Sequence, residues 1–396
     1  MRIMHVITRF IRGGAQENTL LTLRGQSADR ADAVCLVTGP TAGPEGTLIP
    51  DAEKLGVPIF EVKPLVRAVS PVNDFAAYRA LRRLIREWRP DIVHTHSSKA
   101  GILGRLAARA ENVPGIIHTI HGLPFHPYQN RFLNAAYIAA EKFAAARCDR
   151  IAAVAEAMTE QAVAAGVAPR EKFITVYSGM ETERFLPDSA AREHARKRYG
   201  FRPGDVVIGK IARLFPLKGH EYLLDALAAL TGEFPQVRLL IVGGGILRDS
   251  LENRARALGI ADKIVWAGLL HPEEVPEAIQ AMDAVAHCSL REGLARVIPQ
   301  ALLAGKPVAA FDVDGAREIL ARVCQEWLVK PQDAADLRRA LRRILGDLPV
   351  ASARAAAVGT PYCQENFSWQ TMCRRLREIY EETLAAKKIY KTFPKI

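Results

Sequence analysis

The chain has 396 residues, of which 49% are hydrophobic and 24% are charged, and its net charge is +11. This length predicts two domains, and no apolar run approaches the roughly 18–20 residues of a membrane span, which argues against a membrane-spanning protein. Six scattered cysteines without a C-x-x-C pair argue against structural zinc and disulfides and favour a reducing cytoplasm.

Short apolar segments alternate with helical patterns through the first half of the chain. Strands are predicted at Ile3–Thr8, Ala33–Thr38, Val57–Glu61, Asp91–His94, Ile116–Ile120, Ile151–Ala153 and Phe173–Val176. Helices are predicted at Ala15–Arg24, Phe75–Trp88, Ser98–Ala110 and Asn134–Ala146, and residues 39–50 are predicted to form a loop. The alternation predicts a parallel sheet covered by helices on both faces, in an N-terminal domain over residues 1–180.

A second alternation follows the polar segment Glu181–Gly204 and predicts a C-terminal domain over residues 181–366. Its strands are predicted at Val206–Ile211, Arg238–Val242, Ile264–Ala267, Ala284–Cys288 and Val308–Phe311, with a last short strand at Leu328 and Val329. Its helices are predicted at Glu221–Leu230, Ser250–Leu258, Val275–Gln280, Ala295–Ala304 and Asp333–Leu345. The fold class is therefore α/β, with two Rossmann-like, doubly wound domains and a ligand cleft between them at the carboxyl ends of the strands.

Three glycine turns each follow a predicted strand and open a helix: Gly13-Gly14, Gly243-Gly244-Gly245 and Gly293. Backbone N–H groups at such turns suit an anion such as a phosphate. A single turn of this kind is equally compatible with a glycine that only satisfies the turn geometry. Three such turns favour a bulky ligand that carries phosphate.

Arg213 and Lys218 stand five residues apart on the loop after the strand Val206–Ile211. Two cations at the carboxyl end of a strand can clamp a diphosphate and offset the charge that builds on a leaving phosphate. Glu292 lies in the turn before the helix predicted at Ala295–Ala304, and its carboxylate suits sugar hydroxyls better than an anion. A solvated basic loop and a solvated turn carboxylate stay open as alternatives on these residues alone.

Seven motifs run in order through nearly the whole chain: GGAQENTL, HGLPFH, VYSGMETERF, IARLFPLKGHEYLLDAL, LLIVGGG, VWAGLL and REGLARVIPQALLAGKPVAAFDVDGA. They resemble the motifs of the retaining family-4 glycosyltransferases, which have the GT-B fold and use nucleotide sugars. The resemblance implies transfer of a hexose from a nucleotide sugar, with a UDP-sugar favoured, to a glycan or lipid-linked acceptor in cell-surface polysaccharide or glycolipid synthesis. It implies that no metal or other cofactor is required, and that a terminal helix over about 367–390 packs back onto the acceptor-side N-terminal domain.

The resemblance also implies a role for each matching residue. Arg213 and Lys218 would bind the donor diphosphate, Glu292 would hydrogen-bond the donor sugar, and His121 would lie near the reacting centre. These four residues form the predicted catalytic set. The predicted substrate-binding set is Gly14, Gly244, Gly245, Gly293, Leu294, Val297 and Gln300.

Two positions depart from the family pattern. The second Glu of the E-x7-E motif should stand at position 300, where this chain has Gln300. An amide oxygen still accepts hydrogen bonds from ribose hydroxyls, so weaker donor binding is expected rather than lost function. Ser178-Gly179-Met180-Glu181 replaces the more usual Asn-Gly-Ile-Asp, and Gly179 preserves the turn.

Two other interpretations of polar clusters receive less support. The histidines at 94, 96, 118, 121 and 126 resemble a set of zinc ligands, but no carboxylate pattern accompanies them. The sequence Asp312-Val313-Asp314 is similar to the Asp-x-Asp of metal-dependent GT-A transferases, yet it follows a strand of the C-terminal domain, where a loop around the cleft is favoured.

The predicted helix Phe75–Trp88 carries four arginines and an apolar side, a pattern that can lie on an anionic membrane surface. The alternative, which is favoured, is that the apolar side packs on the sheet while the arginines are solvated. The tail KKIYKTFPKI adds lysines and aromatics. We therefore expect a cytoplasmic protein, with peripheral contact at the inner membrane face as one option, and we expect no nucleic-acid partner because no aromatic platform accompanies the basic residues.

Two other protein classes stay open. One is a nucleotide-sugar-binding relative without turnover, acting as a sensor or scaffold, which only Gln300 favours. The other is a different GT-B enzyme, such as an epimerase or a phosphorylase.

Overall fold

The computed structural model describes the backbone of residues 1–29, 31–41 and 46–392, and side chains in the same ranges as far as residue 387. The chain divides into two compact units, of which the first combines Met1–Met180 with the segment from Trp369 onward and the second spans Glu181–Ser368. Residues 42–45 of the predicted loop and nearly all of the basic tail lie outside the described side chains.

The first unit is built on a parallel sheet. Its strands are β1 (Arg2–Ile7), β2 (Ala33–Thr38), β3 (Ile59–Glu61), β4 (Ile92–His96), β5 (Gly115–Ile120), β6 (Arg150–Ala153) and β7 (Phe173–Thr175), in the spatial order β3-β2-β1-β4-β5-β6-β7. Its helices up to residue 180 are α1 (Gly14–Ser27), α2 (Ile49–Glu53), α3 (Pro71–Trp88), α4 (Ser98–Ala110), α5 (Arg131–Ala145) and α6 (Glu156–Ala164).

Strands β4 and β5 are buried along their whole length, as central strands of a sheet covered on both faces are. They nevertheless carry polar side chains at buried positions. The register places His5 of β1 opposite His94 of β4, and Thr95 of β4 opposite His118 of β5. Buried polar groups need hydrogen-bond partners, so these strands require a connected polar network inside the sheet layer.

The second unit contains the second parallel sheet. Its strands are β8 (Val206–Ile211), β9 (Val237–Val242), β10 (Ile264–Gly268), β11 (Ala284–His287), β12 (Val308–Phe311) and β13 (Leu328–Val329), in the order β10-β9-β8-β11-β12-β13. Its helices are α7 (Ser189–Arg198), α8 (His220–Leu230), α9 (Arg248–Ala257), α10 (Val275–Gln280), α11 (Val297–Leu303), α12 (Ala316–Val323), α13 (Ala334–Gly346), α14 (Leu348–Arg354) and α15 (Thr360–Phe367). The two sheets and their helices confirm the predicted class of two Rossmann-like domains.

The last helix, α16 (Trp369–Thr392), belongs to the first unit. Four apolar side chains spaced along one of its faces are buried against the sheet core: Met372, Leu376, Ile379 and Tyr380. The helix lies so close to α1 that a Cβ atom on Gly25 would fall 2.4 Å from the Cys373 sulfur. Their spacing is that of one face of an α-helix.

Several helices were not predicted from the sequence. Helix α7 lies inside the segment interpreted as polar linker, because only Ala195 and Arg196 are buried in it and no apolar stripe marks it. Its start is capped by Asp188, whose side chain accepts from the Ala191 N–H at 3.0 Å. Helices α2, α6, α12, α14 and α15 are short, with five to nine residues each, so each offers few turns in which a periodicity can be recognised. Helix α11 begins at Val297, two residues later than predicted.

A buried ion pair joins α4 to α5. The Arg105 side chain is fully buried and donates to the Gly101 carbonyl at 2.7 Å and to the Glu141 carboxylate at 2.9 Å. Glu141 is itself only 5% exposed. Each charge in this pair therefore depends on the other for its solvation.

We expect Glu141→Ala to lower the free energy of unfolding of the first unit by about 3–5 kcal/mol, because it leaves the Arg105 charge buried without its partner. The double variant Arg105→Met/Glu141→Leu removes both charges and should recover most of that loss. Urea-dependent hydrogen exchange of the α4 and α5 amides measures both effects. A single variant as stable as the parent chain would contradict this account of the pair.

Candidate functional site

The loop after β8 joins two of the predicted motifs. The Lys218 ammonium donates to Glu292 Oε1 at 2.5 Å, although the two residues are 74 positions apart. Their side chains are 18% and 25% exposed, so the pair faces an accessible surface of the second unit. Arg213 lies on the same loop, is exposed, and places its guanidinium 5.3 Å from the Phe215 ring centre. A cation and a carboxylate therefore meet at the carboxyl edge of the second sheet, and a second cation lies on the same loop.

Two buried side chains hold this loop from below. Lys210 is fully buried and its ammonium donates to the Lys218 carbonyl at 2.8 Å, while His220 Nε2 donates to the Arg213 carbonyl at 3.0 Å. Burial lowers the pKa of Lys210 and lowers that of His220 to about 4, which keeps this imidazole neutral. The backbone of both predicted diphosphate ligands is thus fixed by groups that the sequence analysis did not identify.

The same loop packs tightly against the end of β11. Gly219 has φ 64°, and a Cβ atom there would lie 2.0 Å from the Cys288 carbonyl oxygen. The Leu290 N–H donates to the Leu217 carbonyl at 2.8 Å. Only glycine fits this approach, which brings the Lys218 loop within reach of the Glu292 turn.

Glu292 is held in its ionised form. Burial raises the pKa of this carboxyl, but the Lys218 ammonium, the nearby His287 and hydrogen bonds together outweigh burial and hold the pKa below its usual value. The Glu292 backbone N–H donates to Asp314 Oδ2 at 2.6 Å, while Arg317 donates to the Asp312 carboxylate. Asp314 therefore supports the Glu292 turn, in agreement with the favoured interpretation of Asp312-Val313-Asp314 as a loop beside the site.

Two glycines of the loop after β9 are required by close packing, because a Cβ atom at either position would clash with a backbone oxygen. A Cβ atom on Gly243 would lie 2.0 Å from the Ala212 carbonyl oxygen, and one on Gly245 would lie 2.4 Å from the Leu214 oxygen. A Cβ on Gly244 would make only an ordinary contact with Leu269. The close approach joins the β9 loop to the β8 loop, and it gives Gly245 a steric role beside the ligand role implied by the resemblance.

The residues after Glu292 contribute mainly backbone. Leu294 and Val297 are 8% and 7% exposed, so their side chains pack inside the unit. Gly293 lies in the irregular segment between β11 and α11, and Gln300 is half-buried on α11. All four predicted positions follow Glu292 within eight residues of the chain. Gln300 lies about one helix turn beyond the start of α11.

In the first unit, the predicted residues stand at the carboxyl edge of the sheet. Gly14 is the exposed first residue of α1, and His121 directly follows β5. His121 Nε2 lies 3.1 Å from His96 Nδ1, and His96 Nε2 lies 3.0 Å from His5 Nδ1. His5 Nε2 in turn lies 2.8 Å from Gln26 Oε1. A continuous chain of ring nitrogens therefore runs from the interior of the sheet to His121.

The amide of Gln26 sets the direction of hydrogen bonding in this chain. Its Nε2 donates to the Tyr380 hydroxyl at 3.2 Å, so its oxygen faces His5 and can only accept. Burial lowers the pKa of His5 to about 4 and that of His96 well below its usual value, so each ring carries one proton. His5 must then donate from Nε2 and accept at Nδ1.

The same alternation of donor and acceptor nitrogens determines which nitrogen donates in His96 and in His121. His96 donates from Nε2 to His5 and accepts at Nδ1, so His121 donates from Nε2. A second branch follows from the Tyr380 hydroxyl. Because it accepts from Gln26, its proton goes to His94 Nδ1 at 2.5 Å, and His94 Nε2 donates to Thr119 Oγ1 at 2.6 Å.

The cluster of possible zinc ligands differs from the predicted one: it includes His5 and lacks the histidines at 118, 121 and 126. His5, His94 and His96 bring potential ligand atoms within 4.8 Å of one another, but His118 instead bonds Thr95 Oγ1 at 2.9 Å. Every ring nitrogen of those three clustered imidazoles already has a protein partner in the chain just described. The arrangement is that of a satisfied hydrogen-bond network.

The predicted membrane helix lies in α3. Its Ala77, Leu81 and Ile85 are buried, and the helix packs along α4. Of the apolar side chains predicted on this helix, Leu81 and Ile85 are buried and Phe75 is 62% exposed. Within the part of the chain that the structure describes, no helix combines the length and apolar character that crossing a membrane requires.

Comparison with known proteins places these features in a family. Residues 191–356 match the model of the glycosyl transferases group 1, and residues 13–179 match that of the glycosyl transferase 4-like domain. The putative glycosyltransferase EpsD of Bacillus subtilis is 30% identical over 289 residues, which cover 71% of this chain and 74% of that protein. The UDP-Gal:alpha-D-GlcNAc-diphosphoundecaprenol alpha-1,3-galactosyltransferase of Escherichia coli is 26% identical over 352 residues, 88% of each chain.

Solved structures agree on the fold. Anabaena Alr3699/HepE in complex with UDP has a TM-score of 0.81 at 21% identity, covering 96% of this chain and 100% of that chain. Its complex with UDP-glucose gives the same TM-score at 20% identity. Two Rossmann-like units with this likeness define a GT-B fold. The chain belongs to the glycosyl transferases group 1, and it is a glycosyltransferase by family.

Acidification should destabilise the chain through its buried histidines. Burial lowers the pKa of His5 and His220 to about 4 and that of His287 to about 3. The unfolded state binds protons at about pH 6.5, whereas the folded state does not. The contribution of these histidines to the free energy of unfolding is therefore fully present above that pH, and it falls as the pH drops toward 4. Each such histidine should cost about 1.4 kcal/mol per pH unit in this window.

Urea unfolding at pH 7.5, 6 and 5 measures this slope. The variant His220→Gln, whose amide can still donate to the Arg213 carbonyl, should reduce the slope by the share of one histidine. Equal stability at pH 7.5 and pH 5 would contradict the buried, neutral state of these rings.

The direction of the histidine chain can be measured independently. We expect two-bond ¹⁵N–¹H NMR spectra to show His121 protonated at Nε2. Gln26→Met removes the acceptor for His5 and should mix the tautomers, whereas Gln26→Glu keeps that acceptor and should preserve the His121 tautomer while reversing the His94 branch. A His121 ring without a proton at Nε2 in the parent chain would show that the chain runs the other way.

Proposed function

We propose that this chain is a retaining glycosyltransferase that moves a sugar from a nucleotide-sugar donor, preferentially a UDP-sugar, to a glycan or lipid-linked acceptor. The observation that carries the proposal is the contact between Lys218 and Glu292, with Arg213 on the same loop. A diphosphate needs cations and a sugar needs hydrogen-bond acceptors, and the Lys218–Glu292 contact brings one of each together.

The donor class is supported by the relatives. The Anabaena structures contain UDP and UDP-glucose, and the Escherichia coli relative is named for UDP-Gal. That relative is also named for an alpha-1,3 linkage and a diphosphoundecaprenol acceptor, which supports retention and a lipid-linked acceptor here. The proposed role is therefore a step in cell-surface polysaccharide or glycolipid synthesis at the cytoplasmic face of a membrane.

In the proposed reaction, the bond from the sugar anomeric carbon to the diphosphate oxygen breaks while the bond to the acceptor oxygen forms on the same face. The acceptor hydroxyl proton passes to the departing diphosphate. Lys218 and Arg213 stabilise the negative charge on that leaving group, a task that a divalent metal performs in other transferases. Lys218 leaves its pairing with Glu292 to do so, and Glu292 then accepts hydrogen bonds from the sugar.

The remaining assignments rest on the family resemblance. Gly244, Gly245, Gly293 and Leu294 would present backbone groups to the donor, and Gln300 would accept from the ribose. Gly14 and His121 would act from the first unit.

A catalytically inactive nucleotide-sugar-binding protein is the second candidate, and Gln300 is the observation that favours it. Thermal-shift measurements with UDP-, GDP- and ADP-sugars identify the donor, because a ligand of the folded state raises its melting temperature. Hydrolysis of the stabilising donor, or transfer to a lipid-linked acceptor, supports the enzyme. Stabilisation without turnover under both conditions supports the sensor or scaffold.

Lys218→Ala should lower turnover by about 10²–10³-fold, because it removes a cation from the leaving diphosphate. The matched control is Lys54→Ala, which removes an exposed lysine paired with Asp51 far along the chain from this loop. Both variants should keep the circular dichroism spectrum of the parent chain. Near-parental turnover in the folded Lys218 variant would remove this residue from the diphosphate site.

A further inference from the structure

Helix α5 turns its large apolar side chains outward. Phe132 is 71% exposed, Leu133 45%, Tyr137 38% and Phe143 50%, and they follow one another along the solvent face of the helix. Exposed apolar residues occur singly on most proteins, but four large ones on a single helix mark a surface that contacts another apolar phase.

The buried side of α5 has the opposite character. It carries Glu141, paired with the fully buried Arg105, together with the fully buried methyl groups of Ala144 and Ala145. This ion pair fixes the rotation of the helix about its axis. The aromatic side chains are therefore held outward by an interaction on the inner face.

The solvent-facing charges along this segment of the chain are positive. Between Tyr128 and Arg147 the only acidic residue is Glu141, which is buried. Arg131 lies over the Phe132 ring at 4.8 Å and Arg147 over the Phe143 ring at 3.6 Å from its centre. Aromatic side chains flanked by arginine and lysine are the composition of helices that lie in the headgroup region of anionic bilayers.

The start of α3 extends this surface. Helices α3, α4 and α5 pack side by side, and each follows a strand of one parallel sheet, so their first turns lie at the carboxyl edge of that sheet. Val69, Val72 and Phe75 are 87%, 80% and 62% exposed at the start of α3. His121 leaves β5 at the same edge.

We propose that the outer face of α5 and the start of α3 insert into the headgroup region of an anionic lipid bilayer. The inference rests on the proposed function, since it would bring a lipid-linked acceptor to the edge that carries His121. A second copy of the chain is a poorer occupant, because a two-fold contact would oppose the basic residues Arg131, Lys142 and Arg147 with their own copies. The proposed membrane contact is therefore made mainly by α5, whereas the sequence had offered the body of α3 as one option.

Flotation of the full chain with phosphatidylcholine vesicles, with and without phosphatidylglycerol, tests the proposal. The parent chain should float with the anionic vesicles, and Phe132→Ser/Phe143→Ser should lower the partition coefficient by on the order of tenfold for each phenylalanine. The matched control is Val350→Ser/Val358→Ser, which removes exposed apolar side chains, 62% and 41% exposed, from the second unit. Arg131→Gln/Lys142→Gln should reduce only the preference for anionic lipid.

Unchanged flotation of the phenylalanine variant would overturn the proposal. So would a concentration-dependent dimer in analytical ultracentrifugation that the same substitutions abolish, if no vesicle binding accompanies it. Hydrolysis of the nucleotide sugar separates this test from the proposed function. The phenylalanine variant should keep the parental hydrolysis rate, whereas a parent chain that floats but never turns over a donor would refute the enzyme and leave the membrane surface standing.

Discussion

The ion pair between Lys218 and Glu292 ties together the end of β8 and the end of β11, neighbouring strands of the second sheet. It depends on features on both sides. Gly219 lets the β8 loop touch β11, Lys210 holds the Lys218 carbonyl, and Asp314 holds the Glu292 backbone. A diphosphate that draws Lys218 away would leave Glu292 in need of new donors, and sugar hydroxyls are suited to that need. The pair therefore prepares both ends of a sugar diphosphate at once.

Both units place buried nitrogen groups beneath the carboxyl edge of their sheets. In the second unit these are Lys210 and His220, and in the first they are His5 and His96. Buried polar groups of this kind cost free energy unless they are fully bonded, and their networks fix the groups above them in one arrangement. We infer that the polar residues inside these strands serve orientation of the edge, since apolar residues would pack there at lower cost.

The sequence predicted the sheets well because parallel strands are short, apolar and separated by helices. It failed at α6 and α7, where alanine and charged residues leave no apolar stripe for periodicity to detect. It brought Arg213, Lys218 and Glu292 into one hypothesis, but only through a motif, because spacing along the chain does not show that positions 218 and 292 touch. Lys210 and Gln26 were out of reach, since a buried lysine inside a strand and a glutamine on a helix carry no local signal of what they bond.

Helix α5 shows why the direction of a predicted helix face can be the hardest feature to derive. Its sequence, RFLNAAYIAAEKFAA, offers alanines or aromatics on every side, so an apolar pattern alone does not select the inner one. The selection comes from Arg105 on α4, which requires Glu141 inward. Turning the helix to bury Phe132 and Phe143 would leave the Arg105 charge buried without its partner, at a cost of about 3–5 kcal/mol. That cost is comparable to the roughly 1.5–3 kcal/mol gained by burying each phenylalanine. A bilayer at the outer face removes this conflict, because the aromatic side chains leave water while the ion pair stays intact.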